Sequence, residues 1–293
     1  MSGRSLLGLA IGALTLGLLA AGSIAPAAAA TPAHSRAGYL ALGDSVAFGY
    51  TPPETTPPLN YFNAANFVGY PEDFARATGL NLANASCPGE TTASMIRVTA
   101  QSNGCENAVG SPFGYRTVYP LHVFYLGPQL AYAVGYLRTH PQTRLVTIDI
   151  GANDMFVCQQ TTADTCTGSD FQAALNQVSA NLATIYTALR GAGHYRGALM
   201  LVSYYSLDYA DPAQNQSSQA LNAALTAPTH RYGGVVADGY DAFRLVAARA
   251  GGDTCAAGLL VKLPDGTCNI HPSAFGHQVL AAAIGAALAH AAR

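Results

Sequence analysis

The sequence contains no tryptophan, one lysine (Lys262) and few charges of either sign. Only 10% of its 293 residues are charged, with 14 Lys+Arg against 16 Asp+Glu and a formal net charge of -2. Without a basic stripe the chain has nothing to track a phosphate backbone, so nucleic-acid partners are not expected. It also lacks the composition of a disordered chain, because half of it is hydrophobic and its net charge is small. No Cys-x-x-Cys or His-x-x-x-His spacing occurs, so no metal site is expected. Beyond residue 30 no run of eighteen apolar residues escapes polar interruption, and the remaining chain is expected to be soluble without a stable membrane anchor.

Residues 1–30 have a different character. Arg4 precedes the apolar stretch Leu6 to Ala20, and Ala28-Ala29-Ala30 offers small residues for cleavage. This is the pattern of a secretory signal peptide, with a hydrophobic run too short for a comfortable membrane span. Removal would leave a mature domain of residues 31–293 with net charge -3, located outside the cell. Export accounts for six cysteines, all downstream of the signal: Cys87, Cys105, Cys158, Cys166, Cys255 and Cys268. An even count in an oxidising compartment reads as three disulfides. Six cysteines allow fifteen pairings, and the sequence-local couples 87–105, 158–166 and 255–268 are the expected ones.

Short apolar runs alternate with helical patterns along the chain. Strands are expected at 39–43, 80–85, 144–150, 198–203 and 235–238. Helices are expected at 71–78, 91–99, 129–139, 170–189, 214–226, 241–250 and 273–292. Residues 51–60, 101–128 and the Cys-flanked 158–168 read as loops. Neither an internal repeat nor a linker divides the chain. The alternation predicts one α/β domain, a parallel sheet covered by helices on both faces.

In such sheets a site forms at the carboxyl ends of the strands. Four polar segments are predicted to meet there: Gly43-Asp44-Ser45, Asn84 to Thr91, Gly151-Ala152-Asn153-Asp154 and His271-Pro272. Ser45 on a tight strand-to-loop turn suits a nucleophile, and His271 suits the base that takes its proton. The Ser45 N–H, the Gly89 N–H and the Asn153 amide could hold the oxyanion of an acyl-transfer intermediate. His277 is a rival base, disfavoured by its place inside the last helix. Asp44 and Asp154 are expected to serve turns.

Tyr39-Leu40-Ala41-Leu42-Gly43-Asp44-Ser45, Gly89, Gly-Ala-Asn-Asp around Asn153, and His271 resemble the four ordered blocks of the SGNH/GDSL hydrolase superfamily. The resemblance spans essentially the whole mature chain. It implies a flavodoxin-like three-layer α/β/α sandwich with strand order 2-1-3-4-5, and ester hydrolysis without metal or organic cofactor. A small-molecule or lipid ester would be the substrate, and a monomer is expected. Val46 stands where the motif name has Leu. Cys268 stands three residues before the histidine, where the family carries Asp. The group that orients His271 could then be the Cys268 main-chain carbonyl, favoured because a disulfide would hold it, or the Asp265 or Asp253 carboxylate.

Three functional readings follow. A secreted esterase or lipase leads, and a carbohydrate acetyl esterase is the enzymatic alternative. A non-catalytic binding protein on the same scaffold rests on the missing Asp alone. Activity is expected to rise with pH through an ordinary histidine value near ~6.5–7. The aromatic residues between Tyr50 and Tyr125 could line an acyl groove or lid, or form a small core for their own loops.

Overall fold

The structure is a computed structural model that describes residues 37–291, so the expected signal peptide at 1–30 lies outside the described residues. Among the described residues five strands form one sheet: β1 (Gly38–Gly43), β2 (Asn81–Asn84), β3 (Thr143–Asp149), β4 (Ala198–Val202) and β5 (Val235–Ala237). They pair in parallel in the order β2-β1-β3-β4-β5. β1 is buried along its whole length, as a central parallel strand must be. Its Tyr39, Leu40, Ala41 and Leu42 join Leu145, Val146, Ile148 and Leu199 to Val202 in the core. Each fully buried leucine or valine there contributes about 1.5–3 kcal/mol. Tyr39 takes a polar tip into this core, and its hydroxyl is bonded to Thr147 Oγ1 at 2.8 Å.

The helices are α1 (Ser45–Phe48), α2 (Tyr70–Thr78), α3 (Thr92–Ile96), α4 (Tyr115–Val118), α5 (Gln129–Thr139), α6 (Ala152–Thr161), α7 (Gly168–Arg190), α8 (Pro212–Arg231), α9 (Gly239–Ala247) and α10 (Ala274–Ala291). One layer packs α2 and α9 against α10, and the other packs α3, α5, α7 and α8. The result is the three-layer α/β/α sandwich in flavodoxin-like order. Taken by length and composition, α10 could cross a membrane, but here it packs on α2, α9 and β5 with Leu280 and Ile284 buried.

Several boundaries differ from the sequence reading. Residues 152–161 form α6, so Cys158 sits on a helix and only the segment from Thr162 to Thr167 remains a loop. α6 carries no distinct apolar stripe, and helical periodicity therefore gave no sign of it. α8 continues past Pro228 to Arg231, with the Thr229 hydroxyl bonding the Leu225 carbonyl. An antiparallel hairpin of β6 (Leu260–Lys262) and β7 (Cys268–Pro272) precedes α10. Its turn is Pro264-Asp265-Gly266, with Gly266 at φ +91°.

Because β1 lies between β2 and β3, the strand order reverses at the carboxyl ends of β1 and β3. That crevice is where doubly wound sheets bind ligands. Ser45 follows β1 and Asn153 follows β3, so the topology alone brings them to one rim.

Candidate active site

Gly43 closes β1 opposite Asp149 at φ +137°, where a Cβ would stand 2.1 Å from the Asp149 carbonyl oxygen. Only glycine lets the chain turn there against β3. The turn delivers Ser45 to the first position of α1, and the Asp44 carboxylate accepts from Val46 N–H at 3.0 Å. Gly89 lies at φ +83°, and a Cβ on it would meet Asn103 O at 2.6 Å. Among the described residues neither the Ser45 nor the Gly89 N–H makes a hydrogen bond, so both remain available to a ligand.

Asn153 is fixed from two sides. Its Nδ2 donates to Asp44 Oδ2 at 3.2 Å, and its Oδ1 accepts from Asn103 Nδ2 at 2.9 Å. Asn103 is held in turn by Gln160, whose Nε2 donates to it at 2.9 Å. One amide hydrogen of Asn153 stays uncommitted beside Ser45 and Gly89 on the wall of the same cleft.

His271 Nε2 lies 2.9 Å from Ser45 Oγ. Its Nδ1 lies 2.5 Å from Asn269 Oδ1, and the His271 main-chain N–H reaches the same oxygen at 3.2 Å. A main-chain N–H can only donate, which assigns the Asn269 atom as the amide oxygen rather than the nitrogen. An oxygen accepts, so the proton of a neutral His271 sits on Nδ1. Nε2 then presents its lone pair to the Ser45 hydroxyl. The tautomer follows from one backbone contact.

The group orienting His271 is therefore Asn269, and all three expected candidates are corrected. The Cys268 carbonyl is not the partner of Nδ1. Asp265 caps its own hairpin turn, accepting from Thr267 N–H at 2.9 Å and from the Thr267 hydroxyl at 2.7 Å. Asp253 accepts from Ala256 N–H at 2.9 Å in a separate turn. Residues two apart on a strand share a face, so β7 places Asn269 beside His271. The signal was present in the sequence as an Asp-Gly hairpin turn leading into Asn-x-His.

Burial pushes His271 down to about 4, with no carboxylate acting to raise it. That replaces the expected value near ~6.5–7 and keeps the imidazole neutral across the physiological range. Tyr50 covers it, ring centroids 4.8 Å apart. His277, the rival base, is buried in α10 with both ring nitrogens unpartnered among the described residues, and burial pushes it to about 3.

The opposite side of Ser45 is rich in buried acid. Asp44 Oδ2 also accepts from the Tyr204 hydroxyl at 2.5 Å, and burial raises this carboxyl to about 6. Asp149 beside it is pushed well above the carboxylate range by burial and then by the Asp44 charge, so Asp149 holds the proton of the pair. Asp154 accepts from Thr92 N–H at 2.9 Å and the Thr92 hydroxyl at 2.6 Å, tying α6 to α3. Asp44 serves its own turn through Val46, as expected, and also reaches Asn153 and Tyr204, whereas Asp154, expected to serve a turn, bonds across to α3 instead. Tyr204, Asp149, Asn103 and Gln160 were not singled out from the sequence, because their roles arise only on folding.

Disulfides join Cys87 to Cys105, Cys158 to Cys166 and Cys255 to Cys268, the three couples expected. Each braces a different site segment: the Gly89 loop against the Asn103 loop, the end of α6 against the start of α7, and the strand of His271. Cys87, Glu90 and Cys105 lie close enough to suggest metal ligation, but the two sulfurs are bonded to each other and offer no thiolate.

A cleft of about 1280 Å³ opens from Ser45 and His271 between α6, α7 and α8. Met155, Phe156, Phe171, Leu175, Leu221 and Ile270 give it an apolar lining. Of the loop aromatics, Tyr50 and Tyr115 reach this cleft. Phe48, Phe67 and Tyr115 instead nucleate a satellite core with Tyr50, Tyr61 and Tyr119 packed on it.

Comparison with known proteins agrees with this fold. The sequence profile of the GDSL-like Lipase/Acylhydrolase family matches residues 41–279. Phospholipase A1 from Streptomyces albidoflavus is similar in structure, with a TM-score of 0.53 and 16% identity over 86% of this chain and 100% of that one. A lipase from a goat rumen metagenome is similar at a TM-score of 0.52 and 14% identity, over 85% of this chain and 96% of that one. No protein of curated function matches the chain in sequence. The structural likenesses carry the fold, and the profile spans all four segments that meet at the crevice. The chain belongs to the GDSL-like Lipase/Acylhydrolase family, hydrolases that act on esters.

Proposed function

We propose that the protein is an exported serine esterase that cleaves long-chain acyl esters through an acyl-enzyme. The observation that carries this reading is the 2.9 Å contact between Ser45 Oγ and a His271 Nε2 whose lone pair is fixed by Asn269. Ser45 Oγ attacks the ester carbonyl while its proton passes to Nε2. The carbonyl electron pair moves onto the oxygen, where the Ser45 and Gly89 N–H groups and the free Asn153 amide hydrogen receive it. Collapse breaks the ester C–O bond, and the leaving alcohol takes the proton from Nε2. Water, deprotonated by the same nitrogen, then releases the acid and restores Ser45.

Asn269 supplies an amide dipole where related triads hold a carboxylate. It fixes the tautomer, but it stabilises the transient imidazolium less than a charge would. A neutral orienter removes the basis for the binding-protein reading, since the absent Asp leaves no unpartnered Nδ1. The size and apolar lining of the cleft favour a long acyl chain over acetyl. Three disulfides and the leader-like first thirty residues support export.

The test is hydrolysis of p-nitrophenyl esters from acetyl to palmitoyl, alongside Ser45→Ala. Turnover that rises toward the longer chains and vanishes in the variant is expected. An optimum at acetyl would return the acetyl esterase reading, and residual turnover in Ser45→Ala would remove Ser45 as nucleophile.

A further inference from the structure

Two loops that reach the cleft through Tyr50 and Tyr115 are apolar and poor in charge. From Thr55 to Tyr70 there is no Lys, Arg, Asp or Glu, and from Asn107 to Leu137 there is only Arg116, while the exposed Glu54 stands at the edge near Tyr50 and Tyr61. That arginine is turned inward, paired with Glu106 at 3.0 Å and donating to the Tyr125 and Gly127 carbonyls at 2.9 and 3.0 Å. Large apolar side chains nevertheless stand out from these two loops: Phe62 70% exposed, Phe113 68%, Val118 56%, Phe124 85% and Leu126 80%. Keeping so much clustered apolar surface hydrated is unfavourable on a protein that stays in water.

These residues share one loop cluster organised by α4. Val118 lies on it and Phe113 just before it, while Phe62 packs its ring on Tyr119 at 5.2 Å. Arg116 on α4 holds the 125–127 backbone. Tyr125 between Phe124 and Leu126 is buried with its hydroxyl on the Ala85 carbonyl, which leaves its two neighbours projecting outward. The cluster is continuous with the chemistry. Ring contacts run from His271 through Tyr50, Tyr61 and Tyr119 to Phe62.

We propose that this aromatic collar, poor in charge, seats the enzyme on a neutral or zwitterionic lipid surface, delivering acyl chains directly into the cleft. The proposal rests on the esterase reading and names the physical state of its substrate. Three features select a lipid surface over a protein partner. The collar carries a single exposed acid, Glu54, at its edge, its side chains protrude from loops rather than forming a flat strand face, and it reaches the apolar cleft through Tyr50 and Tyr115. Side chains of this kind insert between acyl chains and headgroups, and binding strength follows the apolar area they bury. With so little charge in the collar, the association depends little on salt.

The test is co-sedimentation with phosphatidylcholine vesicles at low and high salt, for the wild type and for Phe124→Ser/Leu126→Ser. Both residues are solvent-exposed and outside the catalytic machinery. The wild type is expected to bind equally at both salt concentrations, and the variant to bind at least about tenfold more weakly. Hydrolysis of dissolved p-nitrophenyl acetate is expected to stay within about twofold in the variant, because neither side chain touches the reacting groups. Equal vesicle binding by the two proteins, or no binding by the wild type, overturns the proposal. So does self-association of the wild type in light scattering that the double variant abolishes, which would assign the collar to a second copy of the chain. Loss of all ester hydrolysis with vesicle binding intact would overturn the esterase reading and leave the lipid contact standing.

Discussion

The two sides of Ser45 are built on opposite electrostatic plans. Toward β3 the protein buries Asp44, Asp149 and Asp154, and spends hydrogen bonds from Tyr204, Asn153, Val46 and Thr92 on them. Toward β7 no carboxylate acts on His271, and a neutral amide does the orienting. The difference teaches that buried carboxyl groups are used here to hold Asn153 in place, whereas His271 is oriented by a neutral amide. Fixing Asn153 requires an acceptor, and Asp44 Oδ2, an oxygen in either protonation state, provides one. Keeping His271 neutral over a wide pH range requires burial without a counter-ion.

The largest effect is expected on the acidic side. Asn153→Ala removes a donor aimed at the developing oxyanion and should lower kcat by about 10²–10³. Steady-state kinetics on a soluble ester checks this, and KM should change little because the contact strengthens only in the transition state. Asn269→Ala attacks the neutral side. With Nδ1 unpartnered the imidazole loses its fixed tautomer, and kcat should fall by roughly tenfold to a hundredfold. A loss equal to that of His271→Ala would mean Asn269 does more than orient.

The smallest expected effect isolates the acid pair. Asp149 has its folded value raised above its unfolded one, so its protonated form favours the fold. That stability is complete below the unfolded value and is lost as pH rises toward the folded value. Asp149→Asn keeps a donor for Asp44 without the ionisation. At pH 8 it should be more stable than the wild type, and it should flatten the pH dependence of Tm above pH ~4. Calorimetry across that range measures it, and an unchanged slope would show that Asp149 is not the protonated partner.

The asymmetry also explains what could be read from the sequence. The sheet order was legible only through the family resemblance, but the meeting of Ser45, Gly89, Asn153 and His271 at one crevice was legible because each sits within a few residues of a strand end or helix start. Such positions follow from turn chemistry and local periodicity. The cysteine couples were legible because they are close in sequence. Asn269 was not, although an Asp-Gly turn precedes it, because its alignment with His271 appears only once β7 is recognised as a strand. The Asp44–Asp149 pair depends on the register of β1 against β3, where Gly43 faces Asp149. Nothing local marks Asp149 as more than the polar end of an apolar run. The aromatics were ambiguous for a different reason: Tyr50 and Tyr115 serve the satellite core and the cleft together.

The most direct measurement is the pH dependence of kcat/KM on a soluble ester, for the wild type and for Asn269→Asp. A half-buried histidine oriented by a neutral amide should hold its rate from pH 8 down to pH ~5 and reach half-value near about 4, where desolvation pushes it. Placing a carboxylate on the same atom should move that limb upward by about 1–3 pH units, because a charge at Nδ1 favours the imidazolium. A wild-type half-value at ~6.5 or above, or a limb that Asn269→Asp leaves in place, would contradict a base tuned by a neutral partner.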